Sequence, residues 1–495
     1  MAREIKKLSH AKVLKAVGKI ADDEKLSVYA VGGYVRDQIL KRQTSEIDFV
    51  VGGDGPLFAK KAIKQMKGQG LVVYKRFGTA SFFIDDLKLE FVTAREESYQ
   101  KDSRKPVIEK SDLVHDLSRR DFTINTLAIS INKGNFGQII NSFEGLKDLK
   151  AKRIRTPLDP DRTFSDDPLR IMRAARFASQ FSFSIDPLAL ESMENQRERL
   201  KIVSQERITE ELLKILSHPQ PSIGLCILKQ THLLDIVFPE LMDLVGVEQK
   251  DTYHHKDVFE HTIKVVDNLA IKSDNLLLRF AGLVHDIGKP KVKQFVEGTG
   301  WTFHGHELVG EGLLRKICSR LKLSRDFQRY SQKLIHLHMR PIQLIREEVT
   351  DSAIRRLIVQ AGEELDDLMK LCRADITSGN PRRVRTYLNN FEYVINRIKE
   401  VEEKDRMRAF QSPVRGDEIM EICGIGPGPL VGKFKKMIEE AILEGQIHNE
   451  HDAAYHYLMT IKDDVLSKDR VKKNISNLTN FGVMSGGNHS IQRQS

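Results

Sequence analysis

The chain has 495 residues, a formal net charge of +10, 40% hydrophobic residues and 30% charged residues. This composition predicts several soluble domains, and no apolar run reaches the roughly 18 residues that a membrane-spanning helix needs. The basic charge favours a polyanionic partner, nucleic acid before membrane. The charged start MAREIKKLSH is not predicted to be a secretory signal. The 4 cysteines include no CxxC pair, which argues against a thiolate zinc site and predicts the cytoplasm.

The first 150 residues predict a head of mixed strands and helices. Strands are indicated by β-branched and aromatic enrichment with glycine punctuation in LSVYAVGG, EIDFVVGG, GLVVYKRFGTASFFI and LKLEFVTAR, and AKKAIKQM indicates a helix between them. From about residue 151 onward the strand signals nearly vanish. Segments such as DDPLRIMRAARFASQF and KDVFEHTIKVVDNLAIK show helical periodicity instead. The sequence therefore predicts an α+β head followed by an all-α body.

A glycine pair ends the first predicted strand, where Gly32 and Gly33 precede the helical segment YVRDQIL. A strand, a glycine turn and a helix N-terminus present free backbone N–H groups to phosphate oxygens. On the next strand Glu46 and Asp48 alternate, so both carboxylates point to one face. Adjacent like charges are costly unless a cation lies between them, and hard oxygen ligands suit Mg²⁺. A third acid, Glu90, is a candidate ligand from a neighbouring strand; a solvated strand face is the alternative interpretation.

Five motifs follow one another in a characteristic order. They are GGxVRD with ExD, FGTA (Phe77–Ala80), LEFVTAR (Leu89–Arg95), RRDFTIN (Arg119–Asn125) and DDPLR (Asp166–Arg170). The chain thereby resembles the class II CCA-adding tRNA nucleotidyltransferase and bacterial poly(A) polymerase family, in particular the bacterial type with an attached HD domain. The resemblance implies a DNA-polymerase-beta-like head with a mixed sheet, which uses metal ions to transfer a nucleotide onto a tRNA 3′ hydroxyl. The sequence departs from the family at Glu46, where aspartate is usual.

The motif RRDFTIN supplies candidate nucleotide-binding residues just before an apolar run. Arginine forks suit triphosphate oxygens, while Asp121 and Asn125 can orient a guanidinium group or a ribose hydroxyl. The complete predicted nucleotide-binding set is Gly32, Gly33, Arg36, Arg119, Arg120, Asp121, Asn125, Asp167, Arg170, Arg173 and Arg176.

The motif DDPLR predicts a helix start that presents an acid and an arginine together. Ser165 or Asp166 is the predicted N-cap, and Asp167 and Arg170 are predicted at i, i+3 on one helix face. Cytosine and adenine each offer an exocyclic amine donor beside a ring-nitrogen acceptor, which one acid and one arginine can read. The family resemblance assigns this base-selecting role to Asp167 and Arg170. A surface ion pair is the alternative interpretation.

The helical body carries an adjacent His-Asp pair in VHDIGKP, with histidines before and after it and a late aspartate. This mixed nitrogen and oxygen set suits one or two divalent metals, and such sites activate water for phosphoester hydrolysis. The arrangement resembles the HD phosphohydrolase superfamily, and in this family it implies hydrolysis of 2′,3′-cyclic phosphates or phosphates, or a vestigial site. His304 and His336 are alternative ligands, and a metal-free histidine-rich core is the other interpretation. The predicted ligands are His261, His285, Asp286, His306, His338 and Asp375.

The polar, glycine-rich C-terminal stretch predicts disorder. Before it, a glycine- and proline-rich turn leads into a lysine-bearing helix over 424–445, a pattern that suits an RNA phosphate but is equally compatible with a plain helical hairpin. The predicted parts are a head (1–150), a helical neck with the base-selecting helix (151–245), an HD domain (246–380), a helical tRNA-binding region (381–467) and a disordered tail (468–495).

Together these features predict an enzyme that adds or repairs the 3′ CCA end of tRNA from CTP and ATP without a template. Mg²⁺ is predicted at Glu46 and Asp48, assisted by Glu90, and a second divalent metal of unspecified identity in the HD domain. One alternative is a poly(A) polymerase, or an enzyme that adds only A or only CC. The other is a metal-dependent HD phosphohydrolase whose head merely binds RNA. The intact RRDFTIN and DDPLR motifs argue against the latter.

Overall fold

The computed structural model describes residues 8–98, 107–110, 112–251, 254–344, 350–377, 380–405 and 412–481. The chain divides into two compact units, Met1–Ile335 and His336–Ser495. This division falls inside the segment predicted as the HD domain. The first unit contains a mixed sheet followed by helices, and the described part of the second unit is helical. The predicted α+β head followed by a helical body is therefore confirmed.

Strands and helices alternate through the head as the sequence predicts. The helix predicted between the strands is α3, and its N-cap Asp54 accepts a hydrogen bond from the Leu57 N–H at 2.8 Å. In chain order the elements are α1 (Ala11–Asp23), β1 (Val28–Val31), α2 (Gly33–Ile39), β2 (Glu46–Val51), α3 (Gly55–Met66), β3 (Gln69–Tyr74), β4 (Thr79–Ile84), β5 (Leu87–Thr93), β6 (Arg95–Ser98), β7 (Val107–Lys110), α4 (Leu113–Ser118), β8 (Ala128–Ser130), β9 (Ile139–Ile140) and α5 (Gly145–Ala151).

Seven of these strands form one sheet in the order β3-β4-β5-β2-β1-β8-β9. Within it β2 and β5 pair in parallel, and the other neighbours pair antiparallel. One face is apolar: Phe49 and Phe82 stack on Phe91, and Phe58 of α3 packs against the same ring at 5.5 Å. Because side chains alternate between faces, this packing leaves Glu46, Asp48 and their neighbours on the opposite face.

The turn between β1 and α2 requires glycine. Gly32 adopts φ 68° and ψ −126°, a backbone conformation that L side chains rarely adopt. A Cβ atom there would also lie 2.5 Å from Nη1 of Arg120. The predicted strand, glycine turn and helix are therefore present, and the backbone passes close to an arginine of the RRDFTIN motif.

In the described residues of the first unit after α5, helices predominate and the strands form three short two-stranded pairs, β10 with β11, β12 with β13 and β14 with β15. A continuous hydrophobic core runs from the head into these helices. The elements are β10 (Arg153–Ile154), α6 (Pro160–Asp166), α7 (Leu169–Phe181), β11 (Ser184–Ile185), α8 (Pro187–Asn195), α9 (Gln205–Ser217), α10 (Pro221–Gln230), α11 (Leu234–Val237), α12 (Pro239–Met242), β12 (Glu248–Asp251), β13 (His254–Asp257), α13 (Val258–Lys272), α14 (Leu276–Val284), α15 (Lys289–Val292), β14 (Gln294–Val296), β15 (Gly300–Thr302), α16 (His306–Arg320) and α17 (Arg325–Leu337).

The second unit begins at the end of α17, and its last helix reaches Phe481. The sequence predicted disorder from residue 468, but Val471, Ile475 and Leu478 recur there at helical spacing. Residues 482–495 of the predicted tail lie outside the described residues. None of the described helices has the length and apolarity needed to cross a bilayer. The helices are α18 (Met339–Leu344), α19 (Asp351–Ala361), α20 (Leu365–Asp375), α21 (Pro381–Asp405), α22 (Gly416–Cys423), α23 (Pro429–Leu443) and α24 (His451–Phe481).

Candidate active site

Three carboxylates meet on the polar face of the sheet. The parallel pairing of β2 with β5 places Asp48 opposite Glu90, and carboxylate oxygens of Glu46, Asp48 and Glu90 lie within 4.8 Å of one another. Burial raises the pKa of Asp48 to about 6; Arg120 opposes this shift, whereas the charges of Glu46 and Glu90 add to it. A cation would relieve this repulsion, and three hard oxygen ligands fit a divalent ion such as Mg²⁺.

Lys88 stands among these carboxylates, and the sequence analysis missed it. Its Nζ donates hydrogen bonds to Oε1 of Glu46 at 2.6 Å and to Oε2 of Glu90 at 3.1 Å. Burial alone would lower the pKa of Lys88, but these two partners raise it, so the ammonium group neutralises part of the cluster. Lys88 lies two residues before Glu90 on one strand. The period-2 alternation that placed Glu46 beside Asp48 would therefore have indicated Lys88.

A cavity of about 400 Å³ lies beside Asp48. It brings together most of the predicted nucleotide-binding residues, although they come from three separate segments of the chain. Three lining residues were missed by the sequence analysis: Leu169, Phe177 and Arg207. The predicted residues in the lining are Gly33, Arg36, Asp48, Arg119, Arg120, Asp121, Asn125, Asp167, Arg170 and Arg173.

Hydrogen bonds connect four of these residues in a chain. The Arg36 guanidinium donates to Oδ1 of Asn125 at 2.7 Å, and the Asn125 amide donates to Oδ1 of Asp121 at 2.8 Å. Arg173 donates to the other Asp121 oxygen at 2.8 Å. Burial alone would raise the pKa of Asp121, but Arg173 and the Asn125 amide outweigh it and lower the pKa to about 2. Asp121 and Asn125 thus contact guanidinium groups, which is one of the two roles predicted for them; a ribose hydroxyl was the other.

A buried acid that the sequence analysis missed holds the two arginines of RRDFTIN. Asp116 on α4 accepts hydrogen bonds from Arg119 at 2.7 Å and from Arg120 at 3.2 Å. Burial alone would raise its pKa, but these two arginines outweigh burial and lower it. The spacing of Asp116 to both arginines, i, i+3 and i, i+4, was a usable signal in the sequence.

Asp167 and Arg170 both line the cavity, but the predicted helix start is wrong. Ser165 and Asp166 belong to α6, and Asp167 is extended with φ −141°. The cause is Pro168, because a residue that precedes proline is kept out of the helical region. The Asp167 carboxylate accepts a hydrogen bond from the Leu169 N–H at 3.2 Å at the start of α7.

The Arg170 side chain is fixed by two backbone acceptors. Its guanidinium donates to the carbonyl of Arg119 at 2.7 Å and to the carbonyl of Thr163 at 3.2 Å. Arg207 lies 3.6 Å from an Asp167 oxygen, so α9 contributes a cation near the same carboxylate. Asp167 and Arg170 therefore lie together on the cavity wall, but on different backbone elements.

Arg176 is the predicted nucleotide-binding residue that departs furthest from its expected place. It forms an ion pair with Glu211 at 3.3 Å and lies over the Phe177 ring at 4.3 Å, and it is not part of the cavity lining. Arg36 and Arg173 also lie over this ring, at 5.4 and 5.3 Å. Phe177 therefore supports the guanidinium groups that face the cavity.

Four of the predicted HD residues form a buried cluster in the first unit. Nε2 of His261, His285 and His306 lie 3.5, 3.2 and 3.3 Å from the Asp286 carboxylate. Lys289 also contacts Asp286, at 2.7 Å. Burial alone would raise the pKa of Asp286, but His285 and Lys289 outweigh it and hold the pKa well below its usual value.

The orientation of the histidine rings fits metal ligation. Nδ1 of His285 lies 2.8 Å from the Gly282 carbonyl, and Nδ1 of His306 lies 2.9 Å from the Phe303 carbonyl. Such contacts fix the tautomer that leaves Nε2 available to a divalent ion.

The alternative ligands and the ligands predicted in the second unit differ in their burial. His304, the alternative to the buried His306, is exposed. In the second unit His338 is buried, the alternative His336 is half-buried, and Asp375 ends α20.

Comparisons with known proteins place this geometry in a family. Residues 28–155 match the poly A polymerase head domain, residues 182–244 an RNA- and SrmB-binding region of polymerase A, and residues 258–376 the HD domain. An A-adding tRNA nucleotidyltransferase of Deinococcus radiodurans is 30% identical over 433 residues, which cover 86% of this chain and 93% of that relative. The chain belongs to the tRNA nucleotidyltransferase and poly(A) polymerase family. It is therefore a nucleotidyltransferase with an attached HD domain.

Other members of the family are similar over most of their length. A multifunctional CCA protein of Shewanella frigidimarina is 27% identical and covers 83% of this chain and 98% of that relative. Among solved structures, a CCA-adding enzyme in complex with ATP has a TM-score of 0.63 at 22% identity, covering 93% of this chain and 99% of that one. The Thermotoga maritima CCA-adding enzyme complexed with tRNA has a TM-score of 0.58 at 22% identity, covering 91% and 95%. At these identities the structural likeness establishes the fold.

Proposed function

We propose that this nucleotidyltransferase adds CMP and AMP units from CTP and ATP to the 3′ end of tRNA and so completes or repairs the CCA terminus. The observation that carries the proposal is the arginine-lined cavity beside the cluster of Glu46, Asp48 and Glu90. A cavity of about 400 Å³ suits one nucleotide. Guanidinium forks bind phosphate oxygens bidentately, and Asp48 of the carboxylate cluster lines the same cavity.

In this proposal each side chain has a distinct task. The N–H group at Gly33 and the guanidinium of Arg36 hold the triphosphate, and Asn125 orients Arg36. Gly32 was predicted to share this task, but its N–H donates to the Leu127 carbonyl at 2.9 Å, so its part is to shape the turn. Asp116 fixes the two arginines of RRDFTIN, which neutralise charge on the transferred phosphate. A Mg²⁺ ion held by the three carboxylates would supply Lewis-acid stabilisation of the attacking and leaving oxygens.

The identity of the added nucleotides requires a direct test, because relatives differ. An A-adding and a CC-adding tRNA nucleotidyltransferase, from Deinococcus radiodurans and Thermus thermophilus, both match this chain. The enzyme should be incubated with tRNA that lacks CCA and with tRNA that ends in CC, using CTP and ATP singly and together. Growth to a full CCA end only with both nucleotides is expected. Addition of A alone, of CC alone, or of a long A tail would replace the proposal by the corresponding activity.

We expect Arg170→Ala to relax the choice of CTP and ATP over UTP and GTP. A base-edge contact of this kind discriminates by about 1–3 kcal/mol, so the preference should fall by roughly tenfold or more. The measurement is kcat/KM for each of the four nucleotides. Arg207→Ala is the matched control, because Arg207 also lines the cavity and contacts Asp167. Equal loss of activity toward all four nucleotides would contradict base selection by Arg170.

We expect Glu46→Gln to reduce nucleotide addition strongly and Glu46→Asp to increase it. The amide removes a ligand charge, whereas aspartate restores the side chain that the family usually carries at this position. Misplacement of a reacting group by about 1 Å can cost roughly 10²-fold in rate. Rates of addition and Mn²⁺ affinity should both be measured. An unchanged rate and affinity in Glu46→Gln would show that Glu46 only accepts the hydrogen bond from Lys88 and is not a metal ligand.

A second activity is favoured by the buried cluster in the HD domain. We propose that His261, His285, Asp286 and His306 hold a divalent metal and hydrolyse phosphomonoesters or 2′,3′-cyclic phosphates. The supporting observation is the convergence of three Nε2 atoms on one carboxylate, at 3.2 to 3.5 Å. Such an ion would supply a water of lowered pKa as the nucleophile. Release of phosphate or ring opening of cyclic nucleotides by the metal-loaded protein tests this activity.

A further inference from the structure

The sheet face that carries the carboxylates is covered at one end of the sheet and exposed at the other end. Beside β1 and β8, Leu117 of α4 packs with Val31 and Val50 in a small core. At the other end of the sheet, β3 and β4 expose apolar side chains on this same face. Their exposed fractions are 44% for Val72, 53% for Tyr74 and 44% for Phe83.

The strand register places these side chains in line with the active site. Val72 lies opposite Ser81, Ser81 opposite Glu90, and Glu90 opposite Asp48. Neighbouring strands are about 4.8 Å apart, so Val72 stands roughly 10 Å from Glu90 across β4.

The next row of the sheet extends the same surface. Phe83 lies opposite Lys88, and Lys88 lies opposite Glu46. Tyr74 pairs with Thr79 at the other end of β3. An apolar surface therefore begins one strand away from the carboxylate cluster.

The geometry of nucleotidyl transfer indicates the side from which the acceptor hydroxyl reaches the carboxylates. The attacking and leaving oxygens lie roughly in line on opposite sides of the reacting phosphorus. The cavity that fits the triphosphate lies on the side of β1 and α2, where Gly33 and Arg36 line it. An acceptor hydroxyl therefore approaches Asp48 from the opposite side, across β5, β4 and β3.

We propose that Val72, Tyr74 and Phe83, which we call the β3–β4 platform, bind the unpaired 3′ nucleotides of the RNA acceptor. Bases stack on the exposed rings of Tyr74 and Phe83, and the chain of nucleotides runs from there to the carboxylates. Exposed aromatic side chains on a sheet are suited to single-stranded RNA, because every base offers a π-face. The last nucleotides of the acceptor change after each addition. Its binding site must therefore accept different bases, and stacking does so. This inference rests on the proposed function of the head.

The test compares two RNAs that differ only at the 3′ end. One is an acceptor-stem hairpin with three unpaired 3′ nucleotides, and the other is the same hairpin with a blunt end. Dissociation constants are measured by fluorescence anisotropy without divalent metal, so that no catalysis contributes. In the Tyr74→Ala/Phe83→Ala variant we expect about tenfold or weaker binding of the overhang RNA. Binding of the blunt RNA and of ATP is expected to be unchanged.

Two controls separate stacking from a loss of structure. Tyr74→Phe/Phe83→Tyr keeps both rings and should bind the overhang RNA as tightly as the natural protein. Leu57→Ala removes a side chain that is 54% exposed on α3, the helix that packs against the other face of the sheet, and should have no effect.

Overhang RNA bound equally well by the alanine variant and the natural protein would overturn the proposal. Unchanged overhang binding with loss of self-association in sedimentation would assign the platform to a second copy of the chain. A natural protein that discriminates the two RNAs through these rings but adds no nucleotide would count against the proposed function while supporting the platform.

Discussion

Asp48→Asn is expected to abolish nucleotide addition, by roughly 10³-fold or more, and to make the metal-free protein more stable. The rate should fall because the proposed metal ion would contribute several kcal/mol of charge stabilisation in the transition state and Asp48 is one of its proposed ligands. Stability rises because burial lifts the pKa of Asp48 to about 6. Above that pH the folded protein holds a carboxylate whose ionisation is unfavourable, and each pKa unit corresponds to about 1.4 kcal/mol.

The sign of this stability effect depends on pH. The folded-state pKa of Asp48 is raised, so the Asp48 carboxyl contributes to the free energy of unfolding at low pH, where it is protonated. This contribution is lost as the pH rises through about 6. The gain from asparagine should therefore be measured at pH 7.5 in a chelator, by thermal or urea unfolding, beside a rate assay on tRNA.

Asp86→Asn is the matched control for this experiment, because Asp86 is exposed in the turn before β5 and is in none of the candidate metal clusters found among the described residues. It should change neither rate nor stability, and tRNA affinity should remain near its natural value in both variants. Normal turnover by Asp48→Asn would remove the carboxylate cluster as the site of transfer. A loss of stability would show that Asp48 is stabilised in its ionised form without metal.

His306→Gln is expected to abolish metal binding and phosphoester hydrolysis by the HD domain while sparing nucleotide addition. His306 supplies one of the three Nε2 atoms around Asp286, at 3.3 Å. Loss of one of the proposed ligands should remove most of the affinity for the ion, whereas nucleotide addition is proposed to use the separate cluster in the head. The measurements are metal content after loading with Mn²⁺ or Ni²⁺, hydrolysis of 2′,3′-cyclic AMP, and addition of CMP and AMP to tRNA.

His304→Gln is the matched control, because His304 is exposed only two residues earlier. Metal loss in this variant, with normal loading of His306→Gln, would reverse the ligand assignment. Asp286→Ala provides a second variant, but it also removes the buried carboxylate that Lys289 contacts at 2.7 Å. Breaking such a pair typically costs about 3–5 kcal/mol, so its unfolding must be followed together with its metal content.

Local sequence rules determined much of the head. The strand and helix pattern, the glycine turn at Gly32 and the common face of Glu46 and Asp48 follow from side-chain alternation and backbone sterics, which depend only on near neighbours. The order of the motifs identified the family, because each motif joins residues within a few positions of one another. The motif RRDFTIN predicted that Asp121 and Asn125 orient a guanidinium group or a ribose hydroxyl, but their partners Arg173 and Arg36 come from distant segments that only the tertiary structure identifies.

Only the tertiary structure decided which distant residues complete the sites. The parallel pairing of β2 with β5 sets Glu90 beside Asp48 and Lys88 beside Glu46. Alternation along β5 puts Lys88 and Glu90 on one face, but the residues of β2 that they meet are set by a register that arises from packing of the whole sheet. Arg207 reaches Asp167 only because α9 packs against α7. The structure likewise buries His306 and leaves His304 exposed. Nearby residues fix the backbone conformation through short-range sterics. The pairing of distant segments depends instead on the burial of whole hydrophobic faces against one another, and the information for that burial is spread over the entire chain.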